Sequence, residues 1–227
     1  MAYVPTIPSD EAERIRRWHE RAYELGRAEA AGGDQHFDYL GLTLVVPPEV
    51  MPIAGVSHLL GEAVLAEVRP GDRVLDMGTG CGVNALLAAS RGASVLAVDI
   101  NPHAVAAAQS NADRNGLADH VEVRLSDVFS AVDSSYDVIV FDPPFRWFAP
   151  RDWFEMASTD QDYRAMTRFF REAHRYLTAN GRMLIFFGTS GDLGYLRRLA
   201  DEAGFAASVV ADLDLERDGH RVRYLTL

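Results

Sequence analysis

Val74-Leu75-Asp76-Met77-Gly78-Thr79-Gly80-Cys81-Gly82 is the stretch from which the fold is read. A β-branched, apolar run leads into three glycines at alternate positions, and Ala85-Leu86-Leu87-Ala88-Ala89 then continues as an apolar helix pattern. This reads as a strand, a tight turn and a helix start. Glycine suits the turn because a side chain would forbid its backbone angles and keep a ligand away from the bare chain. About 17 residues beyond Gly82, Val95-Leu96-Ala97-Val98-Asp99 is a second apolar strand ending in a carboxylate. An acid there accepts both hydroxyls of a ribose lying over the turn. The pair predicts a nucleoside-containing cofactor.

The glycines alone do not say which one. Gly80-Cys81-Gly82-Val83-Asn84-Ala85 satisfies the loose dinucleotide pattern, and S-adenosylmethionine fits the same turn. Further on, Val138-Ile139-Val140-Phe141 runs straight into Asp142-Pro143-Pro144-Phe145: an acid, two prolines and an aromatic ring at a strand end. A nicotinamide-dependent oxidoreductase would explain the glycine turn and Asp99 but leave that tetrapeptide without a purpose.

Taken together, Val74 to Gly82, Asp99, Ser126-Asp127-Val128 and Asp142-Pro143-Pro144-Phe145 resemble the signature of class I S-adenosylmethionine-dependent methyltransferases. The tetrapeptide is similar to the Asn/Asp-Pro-Pro-Tyr/Phe motif of the amino-methylating branch. That branch includes nucleic-acid adenine, ribosomal RNA guanine and release-factor glutamine methyltransferases. Pro47-Pro48-Glu49-Val50-Met51-Pro52 and Ser57-His58-Leu59-Leu60 resemble the lead-in of its small-methyltransferase subgroup, so the likeness runs from about Leu44 to Leu227.

The resemblance implies roles for particular residues. Gly78, Gly80 and Gly82, with Thr79 between them, would let the backbone meet the methionine part of S-adenosylmethionine, the product being S-adenosylhomocysteine. Ser57 would lie near the same end. Asp99, with Ile100 beside it, would hold the ribose, while Asp127 and Val128 would meet the adenine. Asp76 would orient the loop or meet the cofactor's amino group. Asp142 and the Pro143 carbonyl would accept hydrogen bonds from the target nitrogen, Pro144 would stiffen the loop, and Phe145 would stack on the acceptor or face a developing positive charge. Trp147, directly after the motif, is the candidate substrate contact. A carboxylate at 142, where Asn is the commoner motif residue, suits a basic nitrogen better than a neutral amide. The sequence therefore favours a small molecule or peptide side chain as acceptor; an RNA base or protein glutamine is the alternative. A catalytically silent cofactor-binding subunit is a third possibility.

The composition fits one domain with a full core: 227 residues, 48% hydrophobic and 24% charged. A net charge of −11 counts against sequence-independent nucleic-acid binding, which relies on neutralising phosphates. Cys81 is the only cysteine, so no disulfide forms within the chain, and no metal-ligand spacing is visible. No apolar run is long enough to span a bilayer and no signal-peptide core appears, which reads as cytoplasmic.

The expected architecture is α/β: a Rossmann-like, doubly wound, mostly parallel sheet with an antiparallel C-terminal hairpin and an N-terminal helical extension, the resemblance implying seven strands. Residues 1–43 read as a helix and short hairpin, acting as a cap or homodimer contact, and residues 44–227 as the methyltransferase domain. Residues 1–8 read as loose. Ser9 or Asp10 is expected to cap a helix with Ile15, Trp18, Ala22 and Leu25 as its apolar stripe. Residues 146–163 read as a lid, followed by a helix over 162–177 and strands over 183–187, 205–213 and 222–227, the last two joined through Arg217-Asp218-Gly219-His220.

Overall fold

The alternation of apolar runs builds the sheet expected of it. The computed structural model describes residues 3–217 and 219–227. Its elements are α1 (Ser9–Ala30), β1 (Gln35–Tyr39), β2 (Leu42–Val46), α2 (His58–Glu67), β3 (Arg73–Met77), α3 (Val83–Ser90), β4 (Ser94–Asp99), α4 (Pro102–Arg114), β5 (Val121–Leu125), β6 (Tyr136–Phe141), α5 (Trp153–Met156), α6 (Arg164–Glu172), β7 (Leu177–Gly188), α7 (Leu193–Glu202), β8 (Ala211–Arg217) and β9 (His220–Thr226). The large sheet runs β5-β4-β3-β6-β7-β9-β8. Its first five strands are parallel, and β9 inserts antiparallel between β7 and β8. Together these make the seven-stranded, Rossmann-like sheet with an antiparallel edge.

Both faces are covered because the central strands are apolar on both sides. Val74, Val95, Val138 and Val140 share one core with α2, α3, α4 and β2. Leu75, Leu96, Ile139 and Phe141, one residue out of phase, share the other with α6 and α7. The chain winds from β3 outward through β4 and β5, then returns to the other side of β3 as β6. Such a reversal opens a crevice at the carboxyl ends of the strands.

The β1–β2 hairpin closes through Leu40 and Gly41, both at positive φ. Asn111 and Asn115, one turn apart on α4, act as a substitute strand for its outer edge. Asn111 exchanges two 2.9 Å hydrogen bonds with the Val45 backbone, and Asn115 exchanges two with Thr43, at 3.0 and 2.9 Å. Because β2 crosses the boundary drawn between 43 and 44, with Leu44 and Val46 in the core, the hairpin is continuous with the main domain.

Several local expectations need correction. Residues 3–8 are pinned rather than loose: Tyr3 and Thr6 bond to the Asp192 carboxylate. Pro8, not Ser9 or Asp10, occupies the cap of α1, and no side chain caps it. Ile15 is buried as expected, but Leu25 is 66% exposed and His19 is buried in the stripe instead. The helix expected over 162–177 starts only at Arg164, because Asp162 and Tyr163 both sit at positive φ, and tightens to a 3-10 turn over Ala173–Tyr176. The strand expected over 205–213 lies later, at β8, where pairing with β9 puts Leu213 and Leu215 on one face and sets Asp212 opposite Leu225. Of the joining turn, Asp218 lies outside the described residues. Among the described residues no helix is long and apolar enough to cross a membrane.

Candidate active site

All three glycines of the turn adopt positive φ, at 69°, 56° and 90° for Gly78, Gly80 and Gly82, but for different reasons. A Cβ on Gly82 would stand 3.1 Å from both Cα and Cβ of Ala108, so that glycine lets the turn pack against α4. A Cβ on Gly80 would meet nothing within 4 Å, because Gly80 faces a cavity. The Val98 carbonyl accepts from the amides of Gly78 and Thr79 at 2.8 and 3.0 Å, fixing the turn to β4.

Asp76 is buried beneath the turn. One of its oxygens accepts from Thr79 Oγ1 at 2.6 Å and from the Ala85 amide at 3.1 Å, meeting a donor left free in the first turn of α3. Burial raises its pKa to about 6 against the pull of those two bonds. Asp76 and Thr79 thus brace the loop from below and do not reach the cavity surface. Asp99 does. Its oxygens accept from the amides of Gly80 and Asn101, both at 2.9 Å, and burial still raises its pKa against those bonds. Each carboxylate oxygen retains a lone pair for a further donor.

The cavity encloses about 550 Å³. Gly78, Gly80, Asp99 and Ile100 line one side; Asp127 and Val128 follow, and Asp142 and Pro144 complete the sheet-side wall. Ile100 is 44% exposed, an apolar surface presented to whatever occupies the space. Val128 sits at φ +50°, a costly conformation for a β-branched residue that points to a functional constraint. Its carbonyl accepts from Ser126 Oγ at 2.8 Å. Asp127 pairs with Arg168 across 3.0 Å.

Asp142 differs from its neighbours. Its carboxylate receives no hydrogen bond among the described residues, although it opens onto the cavity. The concave surroundings strip it of much of its hydration, and the nearby Asp76 adds like charge, so its pKa rises to about 7.

Besides Asp76, Thr79 and Gly82, which stay in or under the turn, four predicted residues are not brought to this cavity. The Phe145 ring packs away from it, 4.8 Å from Phe187 and 5.6 Å from Phe186 by centroid. Pro143 is buried behind the wall. Ser57 accepts from the Ala54 amide at the start of α2. Trp147 turns toward a second cavity, of about 420 Å³, shared with Arg16, His19 and Phe148.

Trp153 takes the place expected of Trp147. It lies on α5 inside the 146–163 connection and lines the main cavity with Met156, Pro150 and Ala157. The alternate residues of the same turn, Phe154 and Glu155, are buried against α1: Gly26 leaves just enough room for the Phe154 ring. Glu155 lies 2.8 Å from His19 Nε2 and pairs with Arg151 at 2.6 Å. Burial alone would raise its pKa, but hydrogen bonds from Arg151 and His19 outweigh that and hold it at about 2. The Trp153–Met156 spacing was the available signal, one helical turn apart, but it tells nothing until a helix is known to be there.

The family model described as "Methyltransferase small domain" matches residues 55–212. The ribosomal RNA small subunit methyltransferase C of Chromohalobacter salexigens is 34% identical over 210 residues, covering 89% of this chain and 58% of that protein. The chain thus spans little more than half the length of that relative. The release factor glutamine methyltransferase of Agrobacterium fabrum is 31% identical over 239 aligned positions, covering 97% of this chain and 80% of its own. Among solved structures, a T. thermophilus 16S rRNA N2 methyltransferase in complex with AdoMet and guanosine superposes with a TM-score of 0.58 at 24% identity, over 85% of this chain and 50% of the other. That likeness bears on the fold.

Proposed function

We propose, from the premise that the chain belongs to the methyltransferase small domain family of S-adenosylmethionine-dependent enzymes, that it methylates a planar amino nitrogen carried by RNA or protein. The observation that carries the reading is Asp142, a cavity carboxylate with no hydrogen bond from the described residues, set across the same space as Gly80 and Asp99.

The residues present fit the cofactor. Gly80 offers bare backbone, Asp99 keeps lone pairs for ribose hydroxyls, Ile100 gives an apolar surface, and Asp127 and Val128 stand where an adenine edge would be read. When bound, S-adenosylmethionine supplies a methyl carbon already activated by its sulfonium, which leaves the protein mainly with positioning. Asp142 accepts a hydrogen bond from the acceptor N–H and turns the nitrogen lone pair toward the methyl group. As the nitrogen gains the methyl carbon it loses one proton, and a carboxylate with a pKa of about 7 takes that proton and releases it to water.

This value also changes what Asp142 says about the acceptor. A carboxylate of ordinary pKa favours a cationic amine, whereas one pushed up toward neutrality also suits a neutral NH2 that acidifies during the reaction. A base amine and a glutamine amide are both of that kind. The relatives are named for ribosomal RNA and for release-factor glutamine, which favours a macromolecular acceptor over a free small molecule.

Calorimetric titration with S-adenosylhomocysteine tests the cofactor, with binding expected in the wild type and lost in Asp99→Ala. Tritium transfer from S-adenosylmethionine to ribosomal RNA, or to a glutamine-bearing release factor, then separates the two acceptor classes. NADH binding in place of S-adenosylhomocysteine would overturn the reading.

A further inference from the structure

We propose that Tyr163 is a positioning residue for the Asp142–Phe145 loop, and that the N-terminal segment is the strap that keeps it in place. The inference rests on reading that loop as the holder of the acceptor. Tyr163 is fully buried and lines neither cavity. Its hydroxyl donates to the Phe145 carbonyl at 2.5 Å and accepts from the Asp192 amide at 2.9 Å. These bonds pin the last carbonyl of the motif to the start of α7. A phenol has one proton to give and lone pairs to receive, so no apolar ring of the same shape makes both contacts.

The tyrosine reaches this point only because the chain turns left-handed at Asp162 (φ 56°) and Tyr163 (φ 49°). Bulky residues hold such angles where their surroundings over-determine them. The surroundings here are the N-terminal segment. Tyr3 packs edge-on against Tyr163 and Tyr195, with centroids 5.0 and 4.9 Å away. The Asp192 carboxylate, buried at 0% exposure, accepts from Tyr3 Oη, from the Thr6 amide and from Thr6 Oγ1, as well as from the Tyr195 amide within its own helix. Most of the donors that satisfy this buried charge come from residues about 190 positions earlier in sequence. The strap thus fixes Asp192, Asp192 orients the Tyr163 hydroxyl, and the hydroxyl fixes Phe145. Two prolines lie between Phe145 and Asp142 and restrict the bends that could absorb a displacement.

Hydrogen exchange in the full chain tests this without knowledge of the acceptor. In Tyr163→Phe the amides of Phe145 and Arg146 should exchange about fivefold faster, the factor set by one lost hydrogen bond. Exchange in β3 and β4 and affinity for S-adenosylhomocysteine should stay unchanged. Tyr3→Phe combined with Thr6→Val should give the same local change without touching Tyr163, and it decides alone if Tyr163→Phe fails to fold. Unchanged exchange at the loop, or a rise spread evenly over the whole sheet, would overturn the proposal. If the wild type transfers tritium to ribosomal RNA, its kcat should fall in Tyr163→Phe with KM for S-adenosylmethionine unmoved. Loss of S-adenosylhomocysteine binding in the wild type would sink the functional reading and leave the exchange result standing.

Discussion

Gly80 and Gly82 are two residues apart and indistinguishable in the sequence pattern, yet a single methyl group should affect them differently. At both, alanine is forced into a left-handed conformation that costs roughly 1–2 kcal/mol. Gly82→Ala must also displace Ala108, because the added carbon lies 3.1 Å from its backbone. Thermal denaturation should show the greater loss of stability in Gly82→Ala, while titration with S-adenosylhomocysteine should show the greater loss of affinity in Gly80→Ala, whose new methyl projects into open space beside the cavity. Equal effects on both measurements would mean that the turn responds as a rigid unit. Asp142 invites a pH experiment. With a pKa of about 7 it becomes a competent proton acceptor only as pH rises through that value. The single-turnover rate should therefore climb between about pH 6 and 8. Asp142→Asn should lower the rate and flatten that climb.

At the scale of elements, the first helix and the lid behave as one layer. α1 holds α5 from behind through His19, Tyr23 and Arg27, so that Trp153 and Met156 turn toward the cavity. Tyr23 donates to Asp152, the residue whose side chain caps α5, at 2.8 Å. A four-residue helix has no stability of its own and depends on such packing. Glu155→Ala leaves the buried His19 nitrogen without its acceptor, while Arg151 keeps its pairing with Glu20 at 2.9 Å. A loss of about 2 kcal/mol is expected in urea denaturation, modest because Arg151 is half exposed already. The same variant should raise hydrogen exchange across 146–160 more than in β3. No change in that segment would mean that the apolar contacts of Phe154 suffice to seat the lid.

Over the whole molecule, the carboxylates with displaced pKa values, Asp76 and Glu155 in the interior and Asp142 at the cavity wall, set how stability varies with pH. Asp76 and Asp142 have folded-state pKa values of about 6 and 7 against an ordinary 3.8, so the folded protein binds their protons more tightly than the unfolded chain. Their contribution is present in full below pH 4 or so and is lost as pH rises through 6 and 7. Glu155, held at about 2 against an ordinary 4.5, works the other way: its contribution is present above that ordinary value and lost as pH falls toward 2. The melting temperature should therefore peak near about pH 4 and decline by pH 8. Asp142→Asn should remove part of that decline. A melting temperature that rises steadily from pH 5 to 8 would contradict the assignment of both raised carboxylates.

What the sequence determined by itself was the sheet and which strand ends line one cavity. The strand, turn and helix around Gly78–Gly82 are local in the chain, and their residues carry the backbone requirement directly. The two apolar phases of β3, β4 and β6 likewise specify a sheet covered on both faces before any contact is known. Asp99, Ile100, Asp127, Val128 and Asp142 meet at one cavity because each lies at or just beyond a strand end, and parallel strands deliver their ends to one crevice. The acceptor side was decided only by the tertiary structure. Which aromatic of the lid faces the cavity depended on a single turn of helix that exists because α1 packs behind it, and so Trp153 took the position expected of Trp147. Phe145 was withdrawn into the core by Phe186 and Phe187, which precede it in no local pattern. Residues 3–8 looked unconstrained because Asp192, the partner of Tyr3 and Thr6, is far away along the chain. Backbone preference and hydrophobic phase are properties of neighbours in sequence; the direction a side chain finally takes is settled by what packs behind it.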